Sequence, residues 1–235
     1  MIFLLPPSET KAPGGHPRSS SSQLAFVELQ AARESVASAL NQPEVLAAAV
    51  LPAINRYTGT LYSAIHGRGL KGSQTANNQL GDEELERAGR MVFIQSALFG
   101  LISATDDIAS YKISPTKLLN GLNLKKTWQS AHESIWPQLS DHAIIDLRSK
   151  AYAELAPVAE ESESYSVEVF FEAPNGDRTS LNHFNKKAKG QLVRAALLAK
   201  NEPKTVSDLQ KLAKKAGLKL EVNKRKLTLV TYSNS

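Results

Sequence analysis

The sequence predicts an α/β protein of mixed α+β type, with a mixed central sheet flanked by helices in a single domain spanning residues 1–235. Three observations predict this fold. Short apolar runs typical of buried strands recur along the chain, and segments with helical apolar spacing lie between them. Neither an internal repeat nor a linker divides the chain, and 235 residues suffice for one normal buried core.

In the first half of the chain, the opening run MIFLL predicts a buried strand that ends at a Pro-Pro turn. A loop rich in Pro, Gly and Ser follows, and apolar spacing from position 24 to 40 then predicts a helix. GDEELERAGRMVF predicts a further helix, because its first turn carries acids and its last turn carries bases, which complements the helix dipole. MVFIQSALFG predicts a second buried strand that ends in a turn.

The second half begins with KKTWQSAHESIWPQL, which predicts a helix with Pro137 near its end, and HAIIDLRS, which predicts a strand with a polar end. YSVEVFFEAPNGDRTSLNHF predicts a hairpin, because Asn175-Gly176 supplies the positive φ angles that a tight turn needs. Two helices follow, and LKLEV and KLTLVTY predict the closing strands.

The two successive basic helices predict a helix-turn-helix-like element at 185–217. At 100° per residue, the cations and the glycine of the first helix share an arc of roughly 100°, with Lys189 just beside it. These residues are Lys186, Lys187, Lys189, Gly190 and Arg194. Apolar residues lie opposite, so we expect this arc to be exposed. The glycine is explained equally well by close approach of a backbone or a ligand, or by tight packing against a neighbouring strand.

Capping signals define the ends of both helices. Asn185 is expected to cap the first helix, which would leave free amides beside Lys186 and Lys187 as a seat for phosphate. In the second helix, Thr205 is expected to form the N-cap with Asp208 three residues later, and Gly217 provides the C-terminal stop. We expect Lys211, Lys214 and Lys215 to face outward.

Charge is distributed unevenly along the chain. From His183 to Ser235 there are 13 lysines and arginines but three acids, a balance of about +10. The preceding residues contain 15 bases and 20 acids and are therefore acidic overall, so the net charge of the whole chain is only +5. Such asymmetry indicates a polyanionic partner, most often nucleic acid. The alternative is a lysine-rich surface that serves solubility alone.

Polar side chains follow two of the predicted strands. Ser8 and Lys11 have the Ser-x-x-Lys spacing of acylating serine hydrolases, but the companion motifs are missing, so we expect them to contact an anion in a cleft. Asp146, Arg148 and Ser149 follow another strand, at the position where open α/β sheets hold their sites. Asp146 and Arg148 also fit a structural ion pair.

Several classes of protein are excluded or disfavoured. Without cysteine there is no disulfide, thiolate chemistry or zinc-cysteine site, and the five histidines show no metal-ligand spacing. We expect neither a metal nor another cofactor. No apolar run is long enough for a membrane span, and the start lacks the basic region of a signal peptide, which favours a cytoplasmic protein. We expect a monomer.

Five motifs together resemble the YaaA family of bacterial peroxide-stress proteins. They occur in this order along the chain: PPSETK, YTGTLY, QSALFGLISATDDIASYK, IIDLRSKAY and KKAKG. The Ser-Pro-Ala-Lys motif of the familiar branch is matched by 8–11, its Ser-Gly-Leu-Tyr-Gly by 96–100, its Pro-Tyr-Arg by 110–112, and its Lys-Lys-Ala-Arg-Gly by 186–190. The similarity extends along the whole chain, which looks like a shorter, divergent member.

This resemblance implies a single domain of unusual topology with a basic cleft. It also implies a non-enzymatic protein that binds double-stranded DNA, including bent or distorted forms, through a helix-hairpin-helix-like element. A link to limiting intracellular free iron during peroxide stress is implied as well. Because LLAKNEPKTVS lacks the glycine pair of a standard hairpin, we expect the helix faces to contact DNA. The phosphate-binding residues would be Lys186, Lys187, Lys189 and Arg194, with Lys11, Lys112 and Arg148 lining the same cleft.

An enzyme acting on a phosphorylated small molecule or nucleotide is the alternative hypothesis. In that case Ser8, Lys11, Asp146, Ser149 and Tyr152 would share one pocket with the basic residues. Asp146 would be the candidate general base.

Overall fold

The computed structural model describes residues 1–19, 23–68, 80–180 and 182–232. The strands are β1 (Ile2–Leu5), β2 (Val50–Pro52), β3 (Val92–Ser96), β4 (Gly100–Ser103), β5 (Asp107–Ala109), β6 (Leu118–Leu119), β7 (Leu122–Asn123), β8 (Ile144–Asp146), β9 (Ser164–Glu172), β10 (Arg178–Thr179), β11 (Lys219–Asn223) and β12 (Lys226–Tyr232). The helices are α1 (Gln30–Leu40), α2 (Pro43–Ala47), α3 (Ala53–Arg56), α4 (Thr60–Ile65), α5 (Asp82–Met91), α6 (Leu124–His132), α7 (Lys150–Ala153), α8 (Asn182–Leu197) and α9 (Val206–Lys215).

The main sheet has the strand order β11-β12-β9-β8-β1-β3-β4, and β10 pairs with β9. The neighbours from β12 to β3 are parallel, whereas β11, β4 and β10 join their partners antiparallel. Every residue of β1 and β3 is buried, as expected for parallel strands near the centre of a sheet. The predicted α/β class, with a mixed central sheet flanked by helices, is therefore confirmed.

The parallel order brings three strand ends together. β1 lies between β3 and β8, with Leu4 opposite Phe93 on one side and Asp146 on the other. Because the three strands run in the same direction, the segments that follow them emerge at one edge of the sheet. We call this the carboxyl edge. It gathers the segments that begin at Pro6, Ala97 and Leu147.

Several local predictions are confirmed. The hairpin forms between β9 and β10, with Arg178 opposite Glu172 and Gly176 at φ +87°. At the start of α9, the Thr205 side chain accepts the amide of Asp208 and the Asp208 carboxylate accepts that of Thr205, which is the capping box. Gly217 adopts φ +75° directly after the C-cap residue.

Three helix boundaries differ from prediction. α8 begins at Asn182, so Asn185 lies inside the first turn, and its prediction as the N-cap is wrong. In place of the helix predicted at 24–40, the α-helix begins only at Gln30, and a 3-10 turn at Val27–Leu29 precedes it. The helix predicted through Pro137 ends at His132, and Pro137 lies in a separate 3-10 turn because proline lacks the amide that a continuing helix needs. Within the described segments, no helix is long and apolar enough to cross a membrane.

Candidate functional site

The first basic helix is packed on two sides. A Cβ atom at Gly190 would overlap the carbonyl oxygen of Leu61 and would lie 2.7 Å from the Cβ of Ala64, both in α4. On the opposite side, Ala188 and Leu192 are buried in the core. Glycine at 190 thus allows α8 and α4 to approach closely. Close approach of a backbone, that of α4, is therefore what requires glycine here, and the expected neighbouring strand is replaced by a helix.

The cations of α8 do not form one exposed strip. Arg194 is 8% exposed, and its guanidinium donates to the backbone oxygen of Ile65 at 2.8 Å. The Lys189 amine donates to the oxygen of Leu147 at 2.9 Å, and burial lowers its pKa. Lys186 is exposed and Lys187 is half-buried. The expected exposed arc is therefore wrong for Gly190 and Arg194, because α4 covers the side opposite the apolar stripe.

A basic concavity instead lies between the end of α8 and α9. This groove has a volume of about 810 Å³, and its lining includes Leu198, Ala199 and Leu212. Four lysines line it: Lys200, Lys204, Lys211 and Lys215. Lys211 lies 3.7 Å from Asp208, whereas the other three have no acidic partner within the described part of the chain. We call it the α8–α9 groove.

At the carboxyl edge, Lys11 occupies a half-buried position among tyrosines. Its Nζ lies 4.3 Å from the ring centroid of Tyr111 and 5.6 Å from that of Tyr57. The amine donates to the backbone oxygens of Ser8 at 3.1 Å and Glu9 at 3.4 Å. Burial, followed by the positive charge of Arg56, lowers the pKa of Lys11 to about 8.

The Ser8 hydroxyl is engaged by backbone groups of two segments. It accepts the amide of Thr58 at 2.9 Å and donates to the backbone oxygen of Thr10. No hydrogen bond joins its Oγ to the Lys11 amine among the described residues, so the pair lacks the contact that a serine nucleophile needs.

Asp146 and Arg148 form a bidentate ion pair. Nε and Nη2 of Arg148 donate to the two Asp146 oxygens at 2.9 and 2.7 Å, and Nη1 donates to the oxygen of Ala156 at 2.8 Å. The Arg148 side chain has 0% exposure. This geometry is that of a structural pair, and it withdraws Arg148 from a cleft surface. Lys112, by contrast, is exposed, as is Ser149.

A chain of hydroxyls lies beneath Lys11. The Tyr111 hydroxyl lies 2.8 Å from that of Tyr57 and 2.8 Å from Oγ of Ser96, while Ser96 Oγ also accepts the amides of Leu98 and Phe99. Sequence reasoning missed this cluster, although Ser96 and both tyrosines lie in the quoted motifs. In the described ranges, no group of three or more acidic or histidine side chains could hold a metal ion.

Comparison with known proteins places this geometry in a family. The model of the family described as Peroxide stress protein YaaA matches residues 18–224. The chain belongs to this family. UPF0246 proteins of Corynebacterium glutamicum and Corynebacterium efficiens are 33% and 34% identical to it, over 98% of this chain and 100% of each relative. The Streptomyces coelicolor relative is 30% identical over 94% of this chain and 92% of its own length.

The YaaA motifs converge in this structure on the carboxyl edge and its neighbouring helices. The Ser8–Lys11 motif follows β1, the Ser96–Gly100 motif follows β3, and the Lys186–Gly190 motif lies on α8, whose Lys189 reaches the segment after β8. Gly100 of the second motif has φ +66°, and the Trp128 ring occupies the space of its absent side chain. Family membership supports a role in peroxide stress.

Proposed function

We propose that this protein binds double-stranded or distorted DNA through its phosphate backbone during peroxide stress, using the α8–α9 groove. The observation that carries this proposal is the concentration of Lys200, Lys204 and Lys215 around one concavity with no acidic partner among the described residues. Lysine amines that line a groove bind phosphate oxygens without reading the base sequence.

Two acids, Glu202 and Asp208, also line the groove, and both are paired with other groups. The Asp208 carboxylate accepts the amides of Thr205 and Lys204 and lies 3.7 Å from the Lys211 amine, which offsets its charge. Glu202 lies 3.1 Å from Arg90, where it is neutralised. The uncompensated charge of the region is therefore positive, in line with the strongly basic carboxyl-terminal quarter of the sequence.

The proposed interface differs from the one expected from sequence. Arg194, Lys189 and Arg148 are left out because their charged groups are held by backbone oxygens or by Asp146. Lys186 and Lys187 precede the groove by about two helical turns, Lys11 belongs to the carboxyl edge, and Lys112 is an exposed residue that follows β5. These four can be tested separately from the groove.

Salt dependence of DNA binding tests the proposal. If the four groove lysines each neutralise one phosphate, the logarithm of the binding constant should fall with that of salt at a slope near −3.6, which is roughly a hundredfold loss between 50 and 200 mM. Linear, bent and branched duplexes compared by gel shift would give the shape preference.

A matched pair of triple variants makes the test specific. Replacing Lys200, Lys204 and Lys215 with Ala should reduce the slope by about 2.7. Replacing Lys117, Lys126 and Lys150, three exposed lysines elsewhere, removes the same charge and should leave the slope nearly unchanged. Equal effects of the two variants would contradict a binding site at the groove.

We further propose that DNA binding serves the limitation of intracellular free iron, which the family resemblance implies. Chelatable iron in peroxide-treated cells should then be higher with the Lys200, Lys204 and Lys215 variant than with the wild type. Equal chelatable iron in cells with the variant and with the wild type would show that iron limitation does not depend on DNA binding.

A further inference from the structure

A cavity lies between α1 and the turn that joins β3 to β4. It has a volume of about 480 Å³, and its lining includes Gln30 and Ala37 of α1 and Leu98 and Phe99 of the turn. Apolar cavities of about 150 Å³ hold a molecule of benzene, so this one offers about three times that space. We call it the α1 cavity. It shares no residue with the α8–α9 groove.

Arg33 of α1 holds the walls of the α1 cavity together. Its guanidinium donates to the backbone oxygens of Phe99 at 2.9 Å and Leu101 at 3.0 Å. It also donates to those of Ala25 at 2.6 Å and Phe26 at 3.1 Å, in the segment before α1. These bonds fasten that segment to the turn, so the cavity is formed before a ligand binds, which lowers the entropic cost of binding.

The segment before α1 has a strained backbone at this point. Phe26 adopts φ +57° and ψ +71°, in the left-handed region that residues other than glycine rarely occupy. Its carbonyl is held by Arg33, and its ring packs on Phe93 with 5.1 Å between the centroids. The next residue, Val27, lines the cavity and is 61% exposed. Strain of this kind is often found where a ligand binds.

The lining of the α1 cavity is largely apolar. Its apolar side chains are those of Leu24, Val27, Ala37, Leu98 and Phe99. Such walls favour a hydrocarbon chain or an aromatic ring, because contact with it removes apolar surface from water. A strongly hydrated group would lose its water there without gaining partners.

Among the described residues that line the α1 cavity, Arg18 is the cation without a partner. It is half-buried, its Nε is shielded from solvent, and its side chain forms no hydrogen bond or ion pair with another described residue. Arg33, by contrast, serves four backbone oxygens. Glu34 also lines the cavity, but it accepts a hydrogen bond from Gln30 and pairs with neither arginine. The fork of donors on an unpaired guanidinium matches the two oxygens of a carboxylate.

We propose that the α1 cavity binds a monocarboxylate with an apolar body of about eight carbon atoms. The carboxylate meets the guanidinium of Arg18, and the body lies against Val27, Leu98 and Phe99. One unpaired cation beside apolar walls suits a single negative charge. A phosphate dianion would keep an uncompensated charge in an apolar setting, where Glu34 would repel it.

Calorimetric titration of the full chain with octanoate tests this proposal. We expect a Kd below about 1 mM, and an affinity that rises by up to about fourfold for each methylene from butanoate to octanoate. Octanol, which has the same body without the charge, should bind at least about tenfold more weakly, and octyl phosphate should bind no more tightly than octanoate. Equal affinities for octanoate and octanol, tighter binding of octyl phosphate, or no binding of octanoate would overturn the proposal.

Methyl NMR spectra locate the bound octanoate. The signals of Leu24, Val27 and Leu98 should shift during the titration, because these side chains line the α1 cavity. Shifts confined to Leu198 and Leu212 would place octanoate in the α8–α9 groove and contradict the proposal. The DNA-binding proposal is tested by other variants, so the two can fail independently.

Two pairs of variants test the anion and the body separately. Arg18→Met should weaken octanoate binding at least about tenfold, because charged hydrogen bonds are lost, whereas Arg68→Met removes an exposed arginine elsewhere and should not. Ala37→Phe should fill the cavity and block binding. Ser38→Phe adds the same ring at the next, exposed position and should leave binding unchanged. Since Arg18 lies outside the helices and strands, Arg18→Met should fold normally, and wild-type affinity in that variant would overturn the proposal.

Discussion

The helices α8 and α9 have similar sequences but differ in where their cations lie. KKAKG and KLAKK both combine lysines with small apolar residues, and both fall on helices. Lys211, Lys214 and Lys215 of α9 are exposed, whereas Lys189 and Arg194 of α8 donate to backbone oxygens inside the fold. A cation opposite an apolar stripe is therefore exposed only if no second element covers that side.

The packing partner of each helix explains the difference. α4 lies against α8 through Gly190, so one side of α8 meets α4 and the other meets the core. α9 buries a single stripe with Leu209 and Ala213, and its opposite side meets solvent. Substitutions in α8 should consequently affect stability, and those in α9 should affect binding.

The largest expected effect is on stability at Gly190. Gly190→Ala places a Cβ atom against the Leu61 carbonyl oxygen, which belongs to backbone and cannot rotate away. We expect a loss of about 3 kcal/mol or more in the free energy of unfolding, despite the better helix propensity of alanine. In α9, Lys214→Ala should change this free energy by less than about 0.5 kcal/mol. Urea unfolding curves measure both, and equal stabilities would show that α4 and α8 do not pack as described.

Arg194 and Lys215 provide the next contrast. Arg194→Met removes the donor to the Ile65 oxygen and should cost about 2–3 kcal/mol, since hydrogen bonds from charged groups to buried acceptors are strong. Lys215→Met should be close to neutral in stability. With both proteins folded, Arg194→Met should retain wild-type DNA affinity and Lys215→Met should not. If Arg194→Met lost DNA affinity and Lys215→Met kept it, the DNA-binding surface would lie on α8.

A pair of double variants compares DNA binding by the two regions directly. Lys204→Ala with Lys215→Ala should reduce the salt slope by about 1.8, because two phosphate contacts are lost. Lys186→Ala with Lys187→Ala removes the same charge outside the groove and should reduce it by less than half as much. Fluorescence anisotropy at four or more salt concentrations gives both slopes, and a larger effect at Lys186 and Lys187 would contradict the groove assignment.

The smallest expected effect is the pH dependence of stability caused by Lys189. Burial lowers its pKa in the folded state, so as pH rises the folded protein releases this proton before the unfolded chain does. Stability should therefore increase with pH between the lowered pKa and about 10.4, the unfolded value. Lys189→Met should lose this part of the increase, and Lys215→Met should keep it. Urea midpoints from pH 7 to 10.5 measure the difference, and parallel curves would show that Lys189 is not buried.

Local signals predicted much of the fold. The buried strands β1, β3 and β8, the hairpin at Asn175-Gly176 and the capping box at Thr205 all depend on residues close in sequence, and the structure confirms them. The N-cap at Asn185 failed because α8 extends one turn further toward its amino terminus.

The candidate sites were predicted less well. Sequence reasoning placed Ser8 and Lys11 at the end of a strand, but the hydroxyl chain from Ser96 through Tyr111 to Tyr57 joins residues up to 54 positions apart. Such contacts follow from strand order, which periodicity does not encode. The basic element at 185–217 was predicted, and its outward-facing Lys211 and Lys215 are indeed exposed, but the groove was not predicted, because its other lysines come from the connection between the two helices.

By itself, the sequence determined the α/β class, the main strands, the turn and cap residues, the uneven charge and, through its motifs, the family. Each of these depends on neighbours along the chain or on simple composition. Only the tertiary structure decided which cations reach solvent and which meet backbone oxygens. That choice depends on what covers the second side of each helix, and a covering element such as α4 is more than a hundred residues away in the sequence.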